Sequence, residues 1–395
     1  TSDFTATNGD GFFIDTSSGG VTATLPASPS AGNIVAFADY TGSFGTNALT
    51  VGRNSQKIQG ATSDFVISRD NVSAQFIYVD ATEGWRVVLT GDVSGDGLQQ
   101  AFICASGGTE SNSGNCRIHT FTGPGTFTVN SLADTPANNV AGYMVVAGGG
   151  GGGAARGGGG GAGGFREGRT CSVTPYTVSP LAVATGITLT VTGFPITVGG
   201  GGGGEAAPNP GRATKGNPST FSGITSAGGG SGRGDDQPLS APSDSGGSGG
   251  GAGGGANPVN IKGEGDTPSV SPSQGNPGAD SITGNSPPAN PGGGGGGATA
   301  PGVGPGPGGT PGFPAAGGAG ATTHISGSPA AYAGGGGGGP SGGAGTGGGG
   351  AGGAPGNNGD DGTANTGGGA GGGASNSYAG GTGGPGVVII RYRKQ

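Results

Sequence analysis

Ten runs made almost wholly of glycine occupy the second part of this chain, at 148–153, 157–164, 199–204, 227–232, 246–255, 292–297, 334–339, 347–353, 367–373 and 380–386. Without side chains, such runs either stay disordered or pack backbone against backbone. Disorder suits the composition, because glycine has the most backbone entropy to lose on folding. Collagen is excluded, since it needs glycine at every third position and not unbroken runs such as 292–297. The ordered reading is a bundle of polyglycine-II rods, polyproline-II in type, with about 3.1 Å of rise per residue. Neighbouring rods can then exchange the N–H···O and Cα–H···O contacts that an isolated rod leaves to water.

Glycine and proline supply 107 and 28 of 395 residues, while charged residues are 9% and aromatics 6%. That excludes an ordinary α/β enzyme, a coiled coil and a highly charged disordered tail. The net charge of −7 lies wholly before residue 148, and the basic residues beyond it are scattered singly. No nucleic-acid partner is expected from this pattern. No run of eighteen apolar residues is present, so no helix spanning a membrane is expected. A start at Thr1 without a leader reads as a mature or C-terminal portion of something longer.

The expected fold class is mainly β with non-regular content. Residues 1–92 carry short β-type runs about ten residues apart, among them Val21 to Leu25 and Phe76 to Val79, with apolar residues alternating with polar ones. They are expected to form an all-β module, a small sandwich or a β-prism. Residues 93–116 read as a connector, and 117–395 as a glycine-rich domain. In that domain Gly142 to Ala147 runs into the first glycine run, and Val387 to Arg393 follows the last. Those two strands are expected to pair in a β platform that carries the bundle. Strict alternation of the ten runs places the loops 154–156, 205–226, 256–291, 340–346 and 374–379 at the far end from the platform.

Chemistry is sparse. Only His119 and His324 are present, and the pairs Asp235-Asp236 and Asp360-Asp361 sit in turn-like text, so no catalytic residues and no cofactor are expected. Matches to Gly-x-Gly-x-x-Gly are inevitable at this glycine density and identify no nucleotide loop. Cys104, Cys116 and Cys171 leave one cysteine over. Cys104 and Cys116 either close a small disulfide loop or remain thiols. With His119 they lack a fourth ligand and zinc spacing, and Asp92, Ser94 and Asp96 lack the closing glutamate of a calcium loop, which would be Ile103. No metal is expected. Arg233-Gly234-Asp235 spells a known integrin-binding tripeptide, unsurprising by chance here.

Tyr143-Met-Val-Val-Ala before six glycines, Gly161-Ala-Gly-Gly-Phe-Arg-Glu-Gly, Ser219-Thr-Phe-Ser-Gly-Ile-Thr-Ser-Ala-Gly-Gly-Gly and Gly386-Val-Val-Ile-Ile-Arg-Tyr resemble the glycine-rich domain of bacteriophage tail fibres and adhesins. Gly11-Phe-Phe-Ile-Asp-Thr, Val21-Thr-Ala-Thr-Leu-Pro and Glu83-Gly-Trp-Arg-Val-Val are similar to a β module of marine and cyanobacterial phage fibres. The resemblance implies an extracellular virion protein, a homotrimer in its first part, joined to other tail proteins. Its partner would be a bacterial outer-membrane protein or a surface glycan, contacted through the far loops. No family binding residue carries over, so the candidates rest on loop alternation: Arg156, Asn209, Arg212, Lys215, Asn260, Lys262, Asn376 and Tyr378. The rival readings are a structural filament or capsid decoration and, less well supported, an ice-binding face, which would want a regular small-residue period.

Overall fold

The computed structural model describes residues 2–91, 102–169, 176–207, 212–235, 243–254, 261–281, 291–306, 315–375 and 377–394. The chain forms two units, 1–100 and 101–395, and is mainly β with irregular content. Among the described residues no helix is long and apolar enough to cross a membrane.

In the first unit the alternation of Val21, Ala23 and Leu25 with threonine places the apolar residues in a shared core. One sheet holds Phe4–Thr5, Val21–Thr24, Leu49–Gly52 and Phe65–Ile67, and the other Gly11–Ile14, Ile34–Asp39, Val72–Asp80 and Gly84–Gly91. The first five strands alternate between the sheets, so neighbours within each sheet are parallel. Later neighbours are antiparallel. Phe37, Phe44, Leu49, Phe76 and Trp85 fill the space between.

The second unit starts from a central sheet in the order Thr109–Ser113, Cys116–Phe121, Val387–Arg393, Val140–Val146, Phe165–Gly168 and Ala182–Val183. The two strands that bracket the glycine region pair antiparallel, Val146 opposite Val387 and Gly142 opposite Arg391. A five-stranded sheet, Ile224–Ser226, Ser219–Phe221, Gly193–Thr197, Gly125–Ser131 and Cys104–Ser106, covers one face. Phe127, Ile196 and Phe221 meet Tyr143, Val388 and Ile390 there. The hairpin Ala321–Thr323 with Ala330–Tyr332 packs on the other face, against Met144 and Ile389. Two strands, Cys104–Ser106 and Thr109–Ser113, therefore lie in the stretch that composition marks as a connector. Their Ser, Gly and Asn content reflects exposed edge positions.

Beyond Ala147 the backbone follows a three-residue repeat. The N–H groups of Gly148 and Gly151 donate to Asn217 and Thr214, those of Gly149 and Gly152 to Gly384 and Gly381, and those of Gly150 and Gly153 to Gly161 and Gly158. Their carbonyls accept, in the same rhythm, from 229 and 232, 202 and 205, and 370 and 373. Residues 148–153 thus touch six rods, three antiparallel and three parallel, as a helix of three residues per turn requires. A Cβ on Gly148, Gly150 or Gly152 would stand 2.0–2.1 Å from a neighbouring carbonyl oxygen, so only hydrogen fits between these rods.

The same bonds fix every rod's direction. Among the described residues the chain leaves the sheets along 148–153, 199–205, 227–233, 248–254, 276–281, 300–306, 334–339, 349–353 and 368–373. It returns along 157–164, 212–218, 243–247, 261–265, 292–297, 315–320, 342–346, 359–363 and 380–385. Eight of these rods are not glycine runs, and they correct the strict alternation. Residues 227–233 and 349–353 run outward, because 212–218 and 342–346 return before them. Within the stretch 205–226, residues 212–218 are a returning rod and Ser219–Ser226 is a hairpin of the five-stranded sheet, so neither belongs to a far-end loop. Likewise 266–274 lies at the sheet end, within the expected far loop 256–291, and 340–346 is a turn at 340–341 followed by a returning rod.

Candidate functional site

At the far end short connections reverse the rods, and the side chains of Ala154 and Ala155 in the first of them are buried. The first of these turns, 154–156, has Ala155 and Arg156 in the left-handed region, φ 54° and 58°. Ala155 N–H donates to the Tyr378 carbonyl at 3.2 Å, and its own carbonyl accepts from Asp235 N–H at 3.3 Å. Arg156 pairs with the Asp235 carboxylate, and its carbonyl accepts from Gly254 at 2.9 Å. Buried Glu205 accepts from Ala154 N–H at 3.1 Å. The turn 374–379 is tied in through Asn358, whose side-chain oxygen accepts from Ala379 N–H at 2.9 Å.

Two of the expected contact residues, Arg156 and Tyr378, are therefore brought together. Tyr378 is half-buried, its hydroxyl beside Gly356, so its ring has more support than a short loop suggests. Arg212 lies at the far end of the rod 212–218 and reaches Asp244 at 3.9 Å. Lys262 stands apart from them, paired with Asp280 at 3.9 Å. Lys215 is exposed one turn further along the rod 212–218. Asn209, Asn260 and Asn376, like Cys171, lie outside the described residues.

The acids Glu205, Asp235, Asp244 and Asp280 belong to this end and are not apparent from the sequence alone. They offset the cations there, so the surface is mixed in charge and not basic. A signal was available in principle: each acid stands within a few residues of the end of a rod. The exposed ion pairs contribute little to stability, about 0–1 kcal/mol each. Arg233 is only 4% exposed, so the Arg-Gly-Asp tripeptide is not displayed. Burial, with Arg212 nearby, lowers its pKa from the ordinary arginine value.

No disulfide joins Cys104 and Cys116. Cys116 opposes Arg393 in the central sheet, whereas Cys104 opposes Ser131 at the edge of the other sheet. Among the described residues no group of three His, Cys, Asp or Glu side chains is placed to hold a metal.

A family described as a glycine-rich domain matches residues 120–393, from the strand Cys116–Phe121 through all the rods to the closing strand. No curated protein matches the chain.

Proposed function

Because this chain belongs to the glycine-rich domain family, we propose that it is the receptor-recognising part of a bacteriophage tail fibre or related adhesin, with the rods as scaffold and their far-end connections as the contact surface. The observation that supports this reading most is the division of labour along the rods. Most inward positions of the rods admit only hydrogen, while the far-end turns collect Arg156, Asp235, Asn358 and Tyr378. Sequence change at those turns leaves the packed backbone untouched, which is what a surface that must follow a changing receptor needs.

On this reading the protein is an extracellular virion component joined to other tail proteins as a homotrimer. Its partner is an outer-membrane protein or a surface glycan of a bacterial cell. The mixed charge of the far end favours recognition by shape and hydrogen bonding over attraction to a strongly anionic surface.

The test is adsorption of the purified chain to a panel of bacterial strains. The native chain is compared with a variant in which 255–260 is replaced by a Gly-Ser turn of equal length and Tyr378 by serine. Binding to a narrow set of strains, lost in the variant at unchanged melting temperature, is the expected result. Equal adsorption by both, or none by either with equal polymerisation or particle coating, would leave the structural reading in its place.

A further inference from the structure

The strand Val387–Arg393 places Arg391 inside the sheet end of the second unit, where it is only 3% exposed. Its Nη1 donates to the carbonyls of His324 at 3.2 Å and Ile325 at 3.4 Å. Its guanidinium carbon lies 4.8 Å from the centre of the Tyr176 ring. The Nε is buried and has no hydrogen-bond partner. No carboxylate stands within ion-pair distance of Arg391 among the described residues. The buried acid Glu167 is engaged elsewhere, accepting from Thr323 Oγ1 at 2.7 Å, Ser179 N–H at 3.0 Å and the Tyr176 hydroxyl at 3.3 Å. A guanidinium carries five donors in a planar fork suited to a carboxylate, and a buried charge without a counter-ion is costly.

Arg391 forms part of the wall of a cavity of about 280 Å³, bounded by the turn at Ser113 and Gly114, by Tyr176 and Thr177, and by the loop from His324 to Gly327. Backbone bonds set these walls. His324 N–H donates to Thr177 at 2.9 Å, and Gly327 N–H to His324 at 2.9 Å. Gly327 has φ 100°, and a Cβ there would lie 3.2 Å from that of Ser113. The volume is at the small end of ligand pockets, which begin at about 300 Å³, and the lining is mostly polar.

We propose that this cavity binds a small organic carboxylate of monosaccharide size, a hexuronate-type sugar acid. The carboxylate meets Arg391, and the sugar hydroxyls meet Ser113, Thr177 and His324. The site lies at the sheet end of the rods and is independent of the far-end reading above.

The test is calorimetric or NMR titration of the whole chain with glucuronate, with glucose and inorganic sulfate as comparison ligands. Saturable one-to-one binding of glucuronate is expected, with glucose and sulfate each at least about tenfold weaker. Ser113→Phe, which puts a ring into the cavity while leaving the hydrogen bonds of Arg391 in place, abolishes binding at unchanged melting temperature. Arg391→Gln weakens it at least about tenfold where that variant folds. Absence of saturable glucuronate binding, glucose or sulfate binding equally well, or undiminished binding by Ser113→Phe would each overturn the proposal.

Discussion

The hydroxyl of Tyr392 lies 3.0 Å from His119 Nε2, the two rings stacked at 5.5 Å, while His119 Nδ1 stands 2.7 Å from the Gly107 carbonyl. Nδ1–H donates to that carbonyl, and in the neutral imidazole that burial favours, Nε2 accepts from the phenol. Burial pushes the His119 pKa below its ordinary 6.5. The unfolded chain therefore takes up a proton near pH 6.5 that the folded chain refuses, and stability rises with pH. The second unit is expected to hold this contribution in full above about pH 6.5 and to lose it as pH falls toward the folded value, by up to about 1.4 kcal/mol per pH unit. Urea unfolding at pH 7.5 and 5.5 measures the slope. His119→Gln should flatten it while lowering stability at both values.

The same unit should unfold in alkali. Burial raises the pKa of Tyr143, Tyr176, Tyr332 and Tyr392 above the ordinary 10.0. Above that value the unfolded chain loses protons that the folded chain keeps, so stability is complete below about pH 10 and falls beyond it. Phenolate absorbance followed against pH should show a steep step coincident with loss of β circular dichroism. Gradual titration in a chain that stays folded would contradict this.

Rod packing predicts opposite outcomes for one substitution at two glycines. A Cβ on Gly160 would lie 2.1 Å from the Gly150 carbonyl oxygen, whereas one on Gly343 would meet only the Ala316 methyl at 3.8 Å. Gly160→Ala is expected to destabilise by about 3 kcal/mol or more, because backbone on both sides cannot give way. Gly343→Ala should lie within about 1 kcal/mol of the native chain, helped by a less flexible unfolded state. Chemical denaturation of the two variants decides.

Arg156 holds φ 58°, a conformation that costs an L-residue about 1–2 kcal/mol. Arg156→Gly removes that cost together with the pair to Asp235, so stability should change by less than about 1 kcal/mol. On the adhesin reading the same variant adsorbs to sensitive cells at least about tenfold less. Unaltered adsorption would remove Arg156 from the contact surface.

From the sequence alone, glycine runs that are ordered can only pack backbone to backbone, and Gly142 to Ala147 is expected to pair with the closing strand. The sequence allows no looser packing there because each residue of 148–153, enclosed by six rods, would bring a Cβ to within 2.0–2.3 Å of neighbouring backbone. It also carried the alternation of Val21, Ala23 and Leu25 that builds the first unit. Which further segments are rods is set only once they lie side by side. A peripheral rod presses inward only about one residue in three, so Gly359-Asp-Asp-Gly362 keeps glycine where a Cβ would meet 371 and 368 and leaves Asp361 exposed. That Gly-x-x-Gly spacing was readable but weak against a background of glycine. Without these rods, strict alternation gives 227–233 and 349–353 the opposite direction. The acids facing Arg156, Arg212 and Lys262 were equally hidden, because each pair joins segments that become neighbours only when the rods assemble side by side.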